Sequence, residues 1–174
     1  IIYQFMNLDL REFSDFPAEV ILESEADNNE YGIEGIAFRD LMTLRLNIQK
    51  VDNEYYCQGT IAAPVEQECS RCLNLFDDDL TGDLSFIIKA GEIKPVRAFD
   101  EEGEIFFVRA SEPIVELNEI IRQSLILSLP LKPLCSQDCK GICPNCGVNL
   151  NEETCDCEDE EADERWEGLR GLLE

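Results

Sequence analysis

Eight of the nine cysteines fall into four close pairs: Cys69 with Cys72, Cys135 with Cys139, Cys143 with Cys146, and Cys155 with Cys157. This spacing constrains the fold more than any other feature of the chain. Two thiols on one tight turn, separated by about two to four residues, supply half of a tetrahedral zinc shell. Cys69-x2-Cys72, Cys143-x2-Cys146 and Cys135-x3-Cys139 fit that spacing, and Cys155-x-Cys157 is tighter but still reaches one ion. Four pairs suffice for two structural four-cysteine Zn2+ sites, leaving Cys57 over. The four turns can be combined into two sites in three ways. Proximity favours Cys143, Cys146, Cys155 and Cys157 as one site and Cys69, Cys72, Cys135 and Cys139 as the other. The second combination would staple segments far apart in the chain and restrict the unfolded ensemble.

The run CPNCG at 143–147 is the most specific piece. Pro144 stiffens the turn, and Gly147 follows the second ligand, where the backbone often needs a positive φ and turns amides toward sulfur. A four-thiolate shell leaves no coordination position open and blunts the Lewis acidity of the ion, which predicts a structural and not a hydrolytic metal. A zinc-thiolate redox sensor is the rival reading, separable by thiol counting. The odd cysteine count and the lack of a basic, cleavable leader in IIYQFMNLDLREF argue against a secreted disulfide framework. The expectation is a cytoplasmic protein without membrane association.

No histidine is present, which excludes Ser-His, Cys-His and histidine acid–base schemes. No phosphate-cradling glycine loop and no GxSxG is present. The expectation is therefore a protein without catalytic activity. Asp77-Asp78-Asp79 reads as a solvated turn that interrupts a strand, and Cys57 as a small buried hydrophobe in an aromatic strand. Arg71, inside CSRC, either offsets thiolate charge or contacts a partner, or is an exposed turn residue.

Hydrophobic patterning places the cysteines on a scaffold. In LMTLRLNIQKV (41–51), Leu44, Leu46 and Ile48 alternate with polar neighbours, the period of a half-buried strand. Asp52-Asn53 turns the chain into EYYCQGTIAAPV (54–65), in which Gly59 suggests a bulge and Pro64 sits near the strand end. Extended structure resumes over 73–90, a polar acidic loop spans 91–104, and 104–109 is a short strand. In ELNEIIRQSLILSLP the apolar positions Leu117, Ile120, Ile121, Leu125 and Leu129 recur at helical spacing until Pro130. The fold class predicted is α+β: an antiparallel β-sheet, sandwich or partial barrel, with one core helix and a C-terminal Cys-rich, zinc-ribbon-like module. Residues 1–132 form the mainly β domain with its helix near 116–129, with 1–15 an unassigned lead-in. Residues 133–157 form the zinc module. Residues 158–174 are an acidic tail ending in a short docking helix that presents Trp166, Leu169, Leu172 and Leu173.

Charge bears on partners. Fourteen Lys and Arg stand against 38 Asp and Glu, a formal net charge of −24. Affinity for nucleic acid rests largely on cations that displace counterions from phosphate, and no basic cluster of useful size occurs here. Direct nucleic-acid binding is not expected. Such a surface attracts basic partners.

Particular motifs carry a family resemblance: GTIAAPVEQECSRCL (59–73), the LPLKPLC helix ending (129–135), CSQDCKGICPNCGVNLN (135–151), CDC (155–157) and the closing DERWEGLRGLL. The chain resembles the large ribosomal RNA subunit accumulation protein family, known as YceD-like, over most of its length. The resemblance implies a non-enzymatic cytoplasmic factor in ribosome biogenesis. On that analogy the Cys69/Cys72 turn is general to the family and the Cys143–Cys157 cluster an elaboration. Combined with the charge, it implies action through a basic ribosomal protein or assembly factor, with acidic segments near 98–104 and 152–164 supplying the complementary field.

Overall fold

The computed structural model describes residues 6–91 and 105–157. The apolar alternation over 41–51 becomes strand β4 (Leu41–Val51), whose even residues Met42, Leu44, Leu46 and Ile48 are buried on one face. Asp52, at φ 54°, turns the chain into β5 (Glu54–Glu68), which pairs on its other edge with β6 (Leu75–Gly91). These two long antiparallel strands stay in register from Glu54↔Lys89 to Glu68↔Leu75, so the CSRC turn stands at the tip of a long hairpin. The break expected at Asp77–Asp79 does not occur. Pairing to Glu66, Val65 and Pro64 continues through all three residues, and the partly buried amide of Gln67 donates to Asp78 at 2.6 Å. In a strand, successive side chains point to opposite faces, so the three carboxylates do not converge on one cation.

Strand β2 (Ala18–Glu25) pairs with β4, and β3 (Ile36–Phe38) pairs with the far end of β5. Pro64 lies between the stretch of β5 that β4 covers and the stretch that β3 covers, where a missing N–H costs nothing. Strand β7 (Ile105–Arg109) joins the other edge, parallel to β6. The sheet is thus mixed and not wholly antiparallel. A parallel pair cannot be joined by a tight hairpin, and periodicity alone carries no strand direction. The sheet is open: its order is β2-β4-β5-β6-β7 with β3 alongside β5, and it does not close into a barrel. The expected bulge at Gly59 is also absent. Gly59 sits in regular register opposite Leu46 and Leu84, and a Cβ there would lie 1.9 Å from the Arg45 carbonyl oxygen. Close strand approach, not an extra residue, requires glycine at this point.

One face of the sheet is covered by α2 (Asn118–Ser128), whose Ile121 and Leu125 are fully buried together with the preceding Leu117. The helix ends before Pro130, as its sequence predicts. It rests on β6 at Gly82, and the Ser124 hydroxyl donates to the Asp83 carbonyl at 2.8 Å. The segment that reads as an unassigned lead-in is structural. Strand β1 (Asn7–Asp9) pairs with β8 (Ile114–Glu116), and Met6, Leu8 and Leu10 are buried in the core. The short helix α1 (Asn28–Tyr31) is tied to α2 by Arg122, which donates to the Tyr31 carbonyl at 2.7 Å. The acidic loop expected over 91–104, beyond Gly91 itself, and the tail helix with Trp166 lie outside the described residues. No helix among the described residues is long and apolar enough to cross a membrane.

Cys57 belongs to this core, 1 % exposed. Burial pushes its thiol from an ordinary value of 9.0 up to about 12. An acid whose pKa is raised by folding contributes stability that is complete below its unfolded pKa and is lost as pH climbs through the folded value. Stability should therefore fall by up to about 1.4 kcal/mol per pH unit above roughly pH 9. Chemical denaturation across that range should show the slope, and Cys57→Ala should flatten it. An unchanged slope in the variant refutes the assignment.

Candidate metal centres

The structure brings the eight paired cysteines into two groups. Cys69, Cys72, Cys135 and Cys139 form one, and Cys143, Cys146, Cys155 and Cys157 the other. Within each group the sulfurs all lie within 4.8 Å of one another. Of the three possible pairings, this is the one that sequence proximity favours.

Each group is built on the same local device. In the first, the Cys69 N–H donates to the Asn74 carbonyl at 2.9 Å and the Leu73 N–H returns to the Cys69 carbonyl at 2.9 Å. In the second, the Cys143 N–H donates to the Val148 carbonyl at 2.8 Å and the Gly147 N–H to the Cys143 carbonyl at 2.9 Å. The residue after each second cysteine is left-handed: Leu73 at φ 61° and Gly147 at φ 75°. This backbone aims amides at the leading sulfur. The Cys69 thiol is brought down to about 6 because burial, which raises it, is outweighed by backbone hydrogen bonds from Cys135, Cys72 and Arg71. The Cys143 thiol comes down to about 6 through backbone hydrogen bonds from Cys146 and Asn145. Both turns have the backbone form of a metal-binding cysteine knuckle.

Leu73 is the strained member of this pair. A non-glycine residue in the left-handed region costs about 1–2 kcal/mol, and the Leu73 side chain is largely exposed. Leu73→Gly should raise stability by about 1 kcal/mol in a denaturant melt. A loss of stability would show that the side chain contributes more than its exposure suggests.

The first centre is fastened from both sides. Its hairpin-tip pair meets Cys135 and Cys139 after α2, and the Ser70 N–H donates to the Pro133 carbonyl at 2.9 Å. Arg71 is exposed on its turn, but its side chain is engaged. Its guanidinium donates to the carbonyls of Gln137 at 3.2 Å and Cys139 at 2.9 Å, and its own carbonyl accepts from the Ile142 N–H at 3.2 Å. Gly141, at φ 78°, lets the second segment approach, since a Cβ there would lie 3.0 Å from the Arg71 carbonyl oxygen. Polar residues beside the centre that the sequence does not single out are Asn74, Asn149 and Asn151. The Asn151 amide donates to the Cys139 sulfur at 3.4 Å, and Asn74 and Asn149 both donate to the Glu152 carboxylate, at 2.8 Å and 3.0 Å. A cluster of asparagines beside cysteine turns was the available signal.

The donor sets fit a divalent, thiophilic ion. Zinc–sulfur bonds of about 2.3 Å place the sulfurs of a tetrahedron about 3.8 Å apart. Cys69 and Cys139 stand at 3.8 Å and Cys72 and Cys135 at 3.7 Å, far beyond the roughly 2.05 Å of a disulfide. The thiols also resist joint ionisation. In the first group Cys135, exposed as a residue, is still pushed up to about 12 by desolvation of its sulfur and by its neighbours Cys139, Cys72 and Cys69. In the second, Cys157 is pushed up to about 12 by the adjacent Cys146 and Cys143 thiols. Four thiolates at such separations need a cation among them. Cys57, in the core of the sheet, is in neither group.

The comparisons with known proteins agree with the sequence motifs. The family model described as "Large ribosomal RNA subunit accumulation protein YceD" matches residues 57–173, a span that holds both centres. An uncharacterized protein of Mycobacterium tuberculosis is 34% identical over 145 residues, 82% of this chain and 68% of that protein. One from Mycobacterium leprae is 28% identical over 109 residues, 63% of this chain and 49% of its own. An Arabidopsis thaliana protein named "Large ribosomal RNA subunit accumulation protein YCED homolog 1, chloroplastic" is 37% identical over 60 residues, 34% of this chain and 19% of that protein. No solved structure matches.

Proposed function

The chain belongs to the large ribosomal RNA subunit accumulation protein family, and from that premise we propose that it supports accumulation of large-subunit ribosomal RNA as a non-enzymatic factor in the cytoplasm. It does so by binding a basic ribosomal protein or assembly factor. The family match over 57–173 carries the first part of this reading. The net charge of −24 supports the second. Eight thiolates outweigh two dications, so filled centres make the protein more acidic still.

An acidic pair in the sheet supports this reading. Glu66 and Asp77 stand directly opposite each other on β5 and β6, close to the hairpin tip. Opposed like charges destabilise a sheet, and Arg39 offsets part of this repulsion through its ion pair with Glu66 and its attraction to Asp77. A cationic partner would relieve the rest. The metals hold the frame, with each set of four cysteines gripping one ion and fixing the tip and the segment after α2 relative to the sheet.

Deleting the gene should lower large-subunit relative to small-subunit ribosomal RNA. Affinity capture from nuclease-treated lysate at moderate salt should retain a basic ribosomal protein or assembly factor. Capture of RNA after a salt wash, with no such protein, would overturn the partner, and unchanged RNA ratios would overturn the function.

A further inference from the structure

We propose that the outer centre is a latch on the inner one: metal bound by Cys143, Cys146, Cys155 and Cys157 fixes the loop that holds Asn151 on the Cys139 sulfur, and so governs how firmly the inner centre keeps its own metal. The inference rests on reading both clusters as metal centres and reaches beyond the proposed function.

The two clusters differ in access. Cys69, Cys72 and Cys139 of the inner centre are buried, with Cys135 exposed. In the outer centre only Cys143 is buried, while Cys146 and Cys157 are exposed. A chelator in solution reaches the outer sulfurs first. Between the outer ligand pairs runs the segment 147–154, which has no regular helix or strand. Asn151 sits in it. Its amide nitrogen donates to Cys139 Sγ at 3.4 Å, and its Oδ1 accepts the Lys140 N–H at 2.8 Å, so one side chain holds an inner ligand's sulfur and the backbone amide that follows it. The Leu150 N–H donates to the Gly141 carbonyl at 2.9 Å, and Asn149 Oδ1 accepts from Asn151. Both ends of this segment finish on outer ligands. With the outer metal gone, hydrogen bonds exposed to water are left to hold it.

An amide N–H donated to a thiolate disperses the sulfur's charge and favours the ligating form. Hydrogen bonds to charged groups are the stronger kind, and loss of this one should speed release of the inner metal by about ten-fold.

The test uses the full chain, reduced and zinc-loaded, challenged with excess 4-(2-pyridylazo)resorcinol, whose zinc complex is coloured. Metal content at the start tests the metal reading itself, and release kinetics test the latch. The wild type should release one equivalent fast and one slowly. Asn151→Ala should start with both equivalents, keep the fast phase and accelerate the slow phase about ten-fold. Cys157→Ser should lose the outer equivalent and show the same acceleration of the inner one. Cobalt substitution, read by its thiolate charge-transfer band, confirms that the inner shell is intact in each variant. A single release phase in the wild type overturns the latch. So does an inner phase unchanged in either variant, because Asn151 would then be idle or would act without the outer metal.

Discussion

Removing metal from both centres is expected to unfold the segment 133–157 and loosen the tip of the β5–β6 hairpin, while the helix-on-sheet core stays folded. The reason lies in what is buried where. The main core gathers aliphatic and aromatic side chains from every strand of the sheet and from α2. Among the described residues, the buried cluster around the inner centre is Cys69, Cys72 and Cys139, with Phe76 and Leu134 packed on it. Three thiols and two half-buried side chains cannot offset the ordering of some twenty residues at roughly 1–2 kcal/mol each. Two structural zinc shells, each worth about 10–16 kcal/mol of apparent binding energy in small peptides, together come within the range of that cost. Hydrogen exchange under reducing conditions should show amides at 69–74 and 135–157 protected with metal and unprotected in chelator, while those of β4, α2 and the central part of β5 keep their protection. Cys69→Ser should reproduce the hairpin-tip loss, because its sulfur is buried and receives several backbone amides. Cys157→Ser should spare that tip more than Cys69→Ser does, since its exposed sulfur belongs to the outer shell. Full protection of the cysteine segments in metal-free protein would remove the metal from the argument for this fold.

The cysteine pairs and the strand–turn–strand at 41–65 were legible because each depends on local spacing. Thiols near one another on a turn must share a ligand or waste their geometry, and alternation at 41–51 has only one amphipathic solution. The helix was legible for the same reason, with its stripe from Leu117 to Leu125 facing the core. What was hidden depends on partners distant in sequence. The lead-in gives no periodic signal because β1 has only three residues and pairs with β8, far along the chain. The parallel entry of β7 beside β6 is fixed by topology, not by composition. Asp77–Asp79 look like a turn, yet the fifteen-residue partner strand β5 holds them extended. Arg71 could not be placed because its acceptors, Gln137 and Cys139, are brought to it only when the inner centre assembles. Tertiary register overrides local preference at each of these places.

Gly82→Ala is expected to be among the most damaging single-methyl changes in the molecule. The helix crosses β6 at this residue, and a Cβ there would lie 2.3 Å from Ser124 Oγ and 2.9 Å from the Ser124 carbonyl oxygen. Real side chains do not approach so closely, so α2 must lift from the sheet or β6 must bend. Either movement disturbs Ile121 and Leu125, both fully buried under the helix, and stretches the 2.8 Å hydrogen bond from Ser124 to the Asp83 carbonyl. Overpacking of this kind costs about 1–3 kcal/mol, and a lost buried hydrogen bond adds about 1 kcal/mol. For a domain of this size, that corresponds to a fall in Tm on the order of 4–16 °C. A second substitution separates the two contacts. Ser124→Gly removes the hydroxyl but not the carbonyl, so Gly82→Ala/Ser124→Gly should recover only part of the loss. Full recovery would mean that the side chain alone set the spacing and the backbone could give way. No loss in Gly82→Ala would mean that α2 does not rest on the bare backbone of β6, and the path from the sheet through the helix to Cys135 would need another anchor.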